Sequence, residues 1–125
     1  MYRKRKFRVI DTTALLTWHI PDNDEYQNVT VSAIINEIKK DKLTRTIIES
    51  YLESGKISVL EPSEDSIKKA IRKAIETGDK IRMSDSDLRL LALAIELKNK
   101  GYYVEVITDD FAIQNILKRL NIKTY

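Results

Sequence analysis

The chain has 125 residues, a net charge of +3, one histidine and no cysteine. This length suits one compact domain with a real core and is too short for two ordinary domains. Without cysteine there can be no disulfide scaffold, cysteine-bound zinc or thiol nucleophile, and the single His19 excludes multi-histidine metal sites. A metal would need oxygen ligands, which favours hard ions such as Mg²⁺ or Mn²⁺. No apolar run approaches the roughly 18 residues of a membrane span, and the N-terminus is not a secretory signal, so we expect a cytoplasmic protein.

The first third of the chain predicts a strand, a short helix and a polar loop. Residues 7–11 (FRVID) are typical of a buried strand that ends in a carboxylate. Residues 12–18 predict a short helix, and residues 21–28 (PDNDEYQN) predict a loop. The segment VTVSAIINEIKK then enters as an extended chain and becomes helical at Ser32, a plausible N-cap.

The middle of the chain predicts a second long helix and another strand. Residues 43–54 form a helical pattern that Gly55 closes. The side chains that this pattern turns inward are Leu43, Ile47, Ile48, Tyr51 and Leu52. Residues 57–62 (ISVLEP) predict the next strand.

The remaining elements alternate in the same way. Ser63 is expected to cap a helix that runs to Thr77, and Ser84 to cap a helix that is apolar on two faces and therefore buried. Residues 103–108 predict a strand, 111–120 a helix and 121–125 a short final strand. Strands separated by helices imply right-handed crossovers. We therefore predict a single three-layer α/β/α domain over residues 1–125, with a mostly parallel central sheet and residues 1–6 as a basic N-terminal arm.

Acidic residues are predicted to converge at one edge of this sheet. Asp11 ends the first strand and Asp109 and Asp110 follow a later one, and ligand sites in parallel sheets form at the carboxyl ends of the strands. Asp87 lies in the first turn of the buried helix, and Glu37 lies at the apolar border of an earlier helix. Five carboxylates in one cleft would repel each other unless a cation neutralised them. Hydrated Mg²⁺ takes one or two carboxylates, and such ions can activate water and stabilise the leaving oxygen of a phosphodiester.

Each of these residues alone also has a structural explanation. Asp109 could cap the last helix, and Asp85 and Asp87 could favour the start of theirs through the helix dipole. Glu37 could be an ordinary solvated residue. Their joint placement at one edge is what favours a metal site.

The N-terminal arm is strongly basic and could neutralise RNA phosphates. The alternative is a solvated tail that only aids solubility. The cations concerned are Arg3, Lys4, Arg5, Lys6 and Arg8.

The acidic motifs resemble those of the PIN domain, a family of metal-dependent ribonucleases. VIDTTALL looks like the family's opening strand with its first metal-binding Asp, here Asp11, and INEIKK looks like the helix that carries Glu37. The resemblance continues over nearly the whole chain. SDSDLRLLALA matches an Asp followed by Ala five and seven places on, which selects Asp87. VITDDFAIQN resembles the last acidic motif, with Asp109 the stronger match and Asp110 an accessory.

The order and spacing of VTVSAIINEI, LEPS, ETGD and TDDFAIQNIL are similar to one branch of that family. This branch comprises the archaeal and eukaryotic endonucleases that mature the 3′ end of small-subunit rRNA. The resemblance implies a Mg²⁺- or Mn²⁺-dependent endoribonuclease in which Asp11, Glu37, Asp87 and Asp109 are catalytic metal ligands and Asp110 assists. It also implies products with a 5′-phosphate and a 3′-hydroxyl.

The expected substrate is single-stranded RNA, an rRNA precursor. The small ribosomal subunit, an assembly factor or a second copy of the chain are the protein partners to be considered. That branch usually carries a zinc ribbon after its PIN domain, whereas this sequence ends at Tyr125 without cysteine. A separate partner could take the place of that ribbon.

Two other functions remain open. A toxin-type PIN ribonuclease paired with an antitoxin would share the chemistry, although LEPS and TDDFAIQN favour the ribosomal type. A PIN module that binds RNA or protein without cutting is the second, and the complete acidic set argues against it. A phosphoacceptor signalling domain fits poorly, because its acidic pair should follow the first strand and not a late one.

Overall fold

A five-stranded parallel sheet forms the centre of the fold. The computed structural model describes residues 5–17 and 25–124. The strands lie in the order β3-β2-β1-β4-β5, and every neighbouring pair is parallel. Their bounds are β1 Lys6–Ile10, β2 Tyr26–Thr30, β3 Ser58–Val59, β4 Tyr103–Ile107 and β5 Lys123–Thr124.

Helices connect these strands and flank the sheet, which confirms the predicted α/β class. Their bounds are α1 Thr12–Thr17, α2 Ser32–Ile38, α3 Lys42–Ser54, α4 Glu64–Thr77, α5 Asp85–Asn99 and α6 Phe111–Arg119, with a 3₁₀ turn at Lys80–Arg82. Within the described ranges no helix combines the length and apolarity that crossing a bilayer requires.

Burial follows the predicted pattern at the centre of the sheet. Val9 and Ile10 of β1 and Val106 of β4 are almost fully buried. Helix α5 is buried on two faces, as its double apolar stripe indicates, with Leu90 and Leu91 among the largest buried side chains. Burial of this kind removes apolar surface from water and is the main term that stabilises the domain.

Most predicted helix boundaries are confirmed by their caps. The side chains of Ser63 and Ser84 accept hydrogen bonds from the backbone at the starts of α4 and α5, and Gly55 closes α3 at φ 77°. The prediction for Ser32 is wrong, because Val31 is the N-cap and Ser32 is already helical. The backbone N–H of Ser32 donates to Glu61 Oε1 over 2.8 Å. A side chain from a neighbouring segment thus satisfies a helix-start donor that a cap would otherwise serve.

The predicted loop at residues 21–28 is wrong at its end. Residues Tyr26, Gln27 and Asn28 belong to β2 and pair with Lys6, Phe7 and Arg8 of β1. The side chains of these residues are polar, so the sequence lacks the apolar pattern that predicts a strand. They are polar because part of this sheet surface carries a polar network. In that network the Tyr26 hydroxyl donates to Glu105 Oε1 over 2.9 Å.

Two further predictions overestimate the packing at the margin of the sheet. The strand expected at residues 57–62 is only Ser58–Val59, since Leu60 makes the last bond to β2. Helix α3 turns Ile48 inward as expected, but Leu43 is 73% exposed and Ile47 is 40% exposed. Helix α3 packs against α2, and α2 covers only part of the apolar stripe of α3.

Some sequence predictions fall outside the described residues. They concern Arg3 and Lys4 of the basic arm, His19, the start of the predicted loop at residues 21–24, and Tyr125.

A buried carboxylate ties the α4–α5 connection to α6. Asp79 is only 1% exposed, forms an ion pair with Arg82, and accepts a hydrogen bond from Asn115 Nδ2 over 2.8 Å. Hydrogen bonds from Asn115 and then Thr77 lower the pKa of the Asp79 carboxyl, and Arg82 adds to the effect against the opposing cost of burial. The ionised form therefore stabilises the fold.

We expect Asp79→Ala to reduce the free energy of unfolding by about 1–2 kcal/mol, because charge-assisted hydrogen bonds are lost. Urea denaturation of the parent and the variant measures the difference. The lowered pKa makes this contribution complete above about pH 3.9, and it disappears as the pH falls through the lowered value. Asp65→Ala is the matched control, since its exposed ion pair with Lys69 should contribute little. Equal stability of Asp79→Ala and the parent at neutral pH would contradict the assignment.

Candidate metal and active site

The site begins where the two central strands end side by side. Ile10 of β1 is in register with Ile107 of β4, and the backbone N–H of Asp11 donates to the Ile107 carbonyl over 3.0 Å. The next residues, Asp11 and Thr108, therefore leave the sheet at the same edge. Convergence of the acids requires that the two strands are neighbours, and β1 and β4 lie side by side in the sheet.

Thr108 joins the two acidic segments. Its hydroxyl donates to Asp11 Oδ2 over 2.7 Å and accepts from the backbone N–H of Asp110 over 3.1 Å. Asp11 Oδ1 accepts from the backbone N–H of Thr12 over 2.7 Å. The sequence did not reveal this role of Thr108, because nothing in the motif shows that one hydroxyl connects both acids.

The two aspartates that follow β4, Asp109 and Asp110, have different structural roles. Asp110 is the N-cap of α6, and its Oδ1 accepts from the N–H groups of Ala112 and Ile113 over 2.8 and 3.2 Å. The alternative that Asp109 caps this helix is therefore wrong. Asp109 is exposed and makes no hydrogen bond through its side chain to another described residue.

Asp87 is held by a capping box at the start of α5. Its Oδ2 accepts from the backbone N–H of Ser84 over 2.9 Å, while its own N–H donates to Ser84 Oγ over 3.2 Å. Burial is the main cause that raises the pKa of the Asp87 carboxyl, and the negative charges of Asp110 and Asp11 raise it further. The hydrogen bonds from Ser84 act in the opposite direction. The carboxylates of Asp110 and Asp11 are thus close enough to affect the ionisation of Asp87.

These acids line one open cavity of about 330 Å³ at the carboxyl edge of the sheet. Its lining residues are Asp11, Thr12, Thr13, Asp87, Asp109 and Asp110. Four of the five carboxylates singled out in the sequence are therefore brought together. The N-terminal ends of α5 and α6 meet here as well, and their dipoles offset part of the repulsion between the acids.

Glu37 lies beside this cavity and does not line it. It is an exposed residue of α2, and its Oε1 accepts a hydrogen bond from the hydroxyl of Ser86, the neighbour of Asp87 in the chain. The sequence analysis did not identify Ser86, because the candidate residues of this motif were its two neighbours, Asp85 and Asp87. The structure connects Glu37 with the site through this serine.

The donor chemistry suits a hydrated divalent cation. In the described part of the chain no three acidic or histidine side chains are grouped so that they could hold a metal ion directly. Asp87 Oδ1 and Asp110 Oδ2 nevertheless accept no hydrogen bond from any described residue. Mg²⁺ needs only one or two carboxylates and keeps several waters, so a set of oxygen donors of this kind fits it.

The described part of the basic arm lies toward the opposite end of β1. Lys6 is ion-paired with Glu25 at 2.8 Å, and Arg8 is ion-paired with Glu105 at 3.3 Å. The Arg8 guanidinium also lies 4.3 Å from the centre of the Tyr26 ring. Five residues separate Lys6 from Asp11, a distance of about 16 Å along a strand.

Comparison with known proteins identifies the family. A model described as the PIN domain of ribonuclease matches residues 9–97. This range includes Asp11, Glu37 and Asp87, whereas Asp109 and Asp110 lie beyond it.

Three similar proteins have names that point to ribonucleases. Endoribonuclease Nob1 of Methanothermobacter thermautotrophicus is 36% identical over 92% of this chain and 65% of its own length. Ribonuclease VapC1 of Thermoplasma acidophilum is 35% identical over 91% of this chain and 54% of its own length. The 20S-pre-rRNA D-site endonuclease NOB1 of Saccharomyces cerevisiae is 34% identical over 74% of this chain and 20% of its own length.

The chain thus spans less than two thirds of the length of each of these relatives. The family model alone covers well over half of the chain, from within β1 to within α5. The chain belongs to the PIN domain family of ribonucleases.

Proposed function

We propose that this chain is a divalent-metal-dependent endoribonuclease that hydrolyses phosphodiester bonds in RNA. The observation that carries the proposal is the cavity in which Asp11, Asp87, Asp109 and Asp110 converge at the carboxyl ends of β1 and β4. Membership of a ribonuclease family supports the same conclusion.

Electrostatics favour a metal-dependent reaction over one carried by the acids alone. An RNA phosphate is negatively charged, and it is repelled by a cavity lined with four carboxylates unless a cation lies between them. PIN nucleases generally use divalent metal ions, and we propose Mg²⁺ or Mn²⁺ for this chain. A bound cation supplies positive charge that lowers the pKa of water and stabilises charge on the phosphate.

The residues of the chain orient this chemistry. Of Asp11, Asp87, Asp109 and Asp110, one or two would hold the cation directly and the others through its bound waters. Glu37 would contribute from the side of the cavity through its contact with Ser86. Thr108 fixes the Asp11 carboxylate and the backbone of Asp110 in one arrangement. Water adds its oxygen to phosphorus and the bond to the 3′ oxygen breaks, which yields a 5′-phosphate and a 3′-hydroxyl.

The proposed substrate is a single-stranded precursor of small-subunit rRNA. The yeast relative is named as an endonuclease of pre-rRNA, and the ordered motifs of this chain are similar to that branch. The relative named Ribonuclease VapC1 supports the same ribonuclease chemistry without naming an rRNA. A toxin-type enzyme is therefore the second candidate, and the pattern of cleavage distinguishes the two.

We further propose that the N-terminal arm contacts RNA away from the cleaved bond. Arg3, Lys4 and Arg5 would supply charge to phosphates on that side, while Lys6 and Arg8 are engaged with acidic neighbours. Lys6 lies about 16 Å along β1 from Asp11, too far to contact a phosphate held at the acids.

We expect Mn²⁺ to raise the melting temperature of the parent and to raise that of Asp87→Asn much less. A ligand that binds only the folded state at 100 times its Kd adds about 2.7 kcal/mol of stability. Scanning calorimetry with Mn²⁺ and with EDTA measures both shifts. Asp85→Asn is the matched control, since Asp85 lies two residues away and is exposed in an ion pair with Arg89. An equal Mn²⁺ shift in Asp87→Asn and the parent would show that Asp87 is no ligand.

Cleavage of a labelled single-stranded RNA that contains a small-subunit rRNA 3′ junction tests the function itself. We expect the parent to cut in Mn²⁺ and not in EDTA, and Asp109→Asn and Asp110→Asn to be slower by about 100-fold or more. Even residues that only support metal ligands cost 10–100-fold when changed. Asp85→Asn should cut like the parent.

The outcomes of this cleavage experiment separate the candidates. Cutting at the junction supports rRNA processing, whereas scattered cuts support a ribonuclease of the other type. An Asp109→Asn protein as fast as the parent would remove Asp109 from the site. RNA binding without cutting in any divalent ion would reject the nuclease and support the non-catalytic module.

A further inference from the structure

A groove adjoins the acidic cavity along α6. It has a volume of about 750 Å³ and extends from the start of α6 to β5. Phe111, Asn115, Lys118 and Lys123 are among its lining residues. Because Asp110 lines the acidic cavity and Phe111 follows it directly, the cavity and the groove share a rim.

Phe111 is placed unusually for a phenylalanine. It is the first residue of α6 and is 84% exposed, whereas Phe7, the other phenylalanine of the chain, is 3% exposed. Single exposed apolar residues are common on protein surfaces and need no explanation by themselves. The position of Phe111 on the shared rim is the second observation, and it brings an aromatic face next to the proposed reaction centre.

The helix that carries Phe111 is fixed in place. Asn115 lies one turn further along the same face of α6, and its amide donates to the buried Asp79 carboxylate. Asp79 is also paired with Arg82, so the 3₁₀ turn is held beside α6. Gln114 Nε2 adds a hydrogen bond of 2.7 Å to the Thr108 carbonyl at the end of β4. The backbone that carries the ring therefore needs no further ordering when a ligand binds.

The charges of the groove complement a nucleic-acid strand. Lys118 lies seven residues after Phe111, about 10 Å along the helix axis. Lys123 lies at the far side on β5, where it pairs with Glu105 at 3.9 Å. Cations in a groove with an aromatic platform are the features by which proteins bind single strands, with phosphates on the cations and a base on the ring. An acidic protein segment would use the lysines but would gain nothing specific from the ring.

We propose that Phe111 is a positioning residue that stacks on a base of single-stranded RNA beside the bond to be cleaved, while Lys118 contacts a phosphate further along α6. This inference rests on the proposed ribonuclease function and adds the path of the substrate. It assigns Phe111 to RNA binding and leaves the chemistry to the carboxylates.

Binding of a fluorescently labelled single-stranded RNA in EDTA tests the stacking without cleavage. Stacking of one base on an aromatic side chain contributes about 1–3 kcal/mol, so Phe111→Ala should raise the Kd by about 5- to 160-fold. Phe111→Tyr should restore the parent's affinity, because it keeps the ring. Leu43→Ala is the matched control, since Leu43 is 73% exposed on α3 and lines neither the cavity nor the groove. A Kd for Phe111→Ala equal to that of the parent overturns the proposal and leaves the groove to a protein partner.

An RNA with abasic nucleotides separates stacking from charge. The parent should bind the abasic RNA about as weakly as Phe111→Ala binds the intact RNA. On the abasic RNA, the Kd of Phe111→Ala should equal that of the parent. A persistent loss of affinity in Phe111→Ala on the abasic strand would contradict stacking. Phe111→Ala should also melt at the temperature of the parent, because its side chain is exposed.

Salt dependence tests the Lys118 contact. Each phosphate neutralised on a single strand contributes about 0.7 to the slope of log K against log salt concentration. Lys118→Ala should reduce the slope by roughly that amount, and an unchanged slope would remove Lys118 from the path.

The stacking proposal and the ribonuclease proposal can fail separately. If the parent cuts RNA in Mn²⁺ and Phe111→Ala binds and cuts equally well, only the stacking is wrong. If the parent cuts RNA in no divalent ion and Phe111→Ala still loses affinity for RNA, the stacking proposal is supported and the ribonuclease proposal is wrong.

Discussion

The parallel pairing of β1 with β4 determines where the acidic residues of the site lie. The register sets Ile10 opposite Ile107, and the segments after them carry Asp11 on one side and Thr108, Asp109 and Asp110 on the other. A slip of one residue would exchange the two faces of a strand and expose its buried side chains. Because Val9, Ile10 and Val106 are almost completely buried, the core opposes such a slip. The apolar interior of the sheet thus fixes the relative position of charged groups that by themselves would move apart.

The acids of the cavity can be structural and functional at once. Asp87 and Asp110 each accept backbone N–H groups at a helix start through one carboxylate oxygen, and the other oxygen is left for the cavity. Those backbone donors and the helix dipoles offset part of the mutual repulsion, so the fold tolerates the cluster. Asparagine caps a helix about as well as aspartate does. Replacement of Asp by Asn therefore keeps most of the cap and removes the charge, which allows the two roles to be separated.

The sequence predicted the centre of the fold better than its margins. At β1, β4 and α5 the apolar pattern matches the burial, because these elements are covered on two sides. β2 was missed at Tyr26–Asn28 because its side chains are polar and their partners lie on other strands, so no local pattern reveals them. The cap prediction at Ser32 was wrong because Val31 is the N-cap, and Glu61, 29 residues away in the chain, accepts from the Ser32 N–H in the first turn.

The candidate site was predictable as a set of acids but not as a geometry. Strand ends and helix starts place Asp11, Asp87, Asp109 and Asp110 at one edge of the sheet from topology alone. The order of importance within the Asp109–Asp110 pair depends on which of them caps α6, and two adjacent identical residues carry no signal for that choice. The bridge through Thr108 and the contact of Ser86 with Glu37 depend on side-chain orientation, which periodicity does not specify.

The distribution of positive charge indicates the direction from which RNA reaches the cavity. Lys6 and Arg8 lie toward the far end of β1 and are engaged with Glu25 and Glu105, so they add little attraction near Asp11. The groove along α6 adjoins the cavity and carries Lys118 beyond the exposed ring of Phe111. A cavity lined by carboxylates attracts a cation and repels the polyanion that is to be cut, so the attraction that holds RNA has to come from outside it. Among the surfaces described, the α6 groove supplies it next to the cavity, which is why the substrate path is assigned to that side.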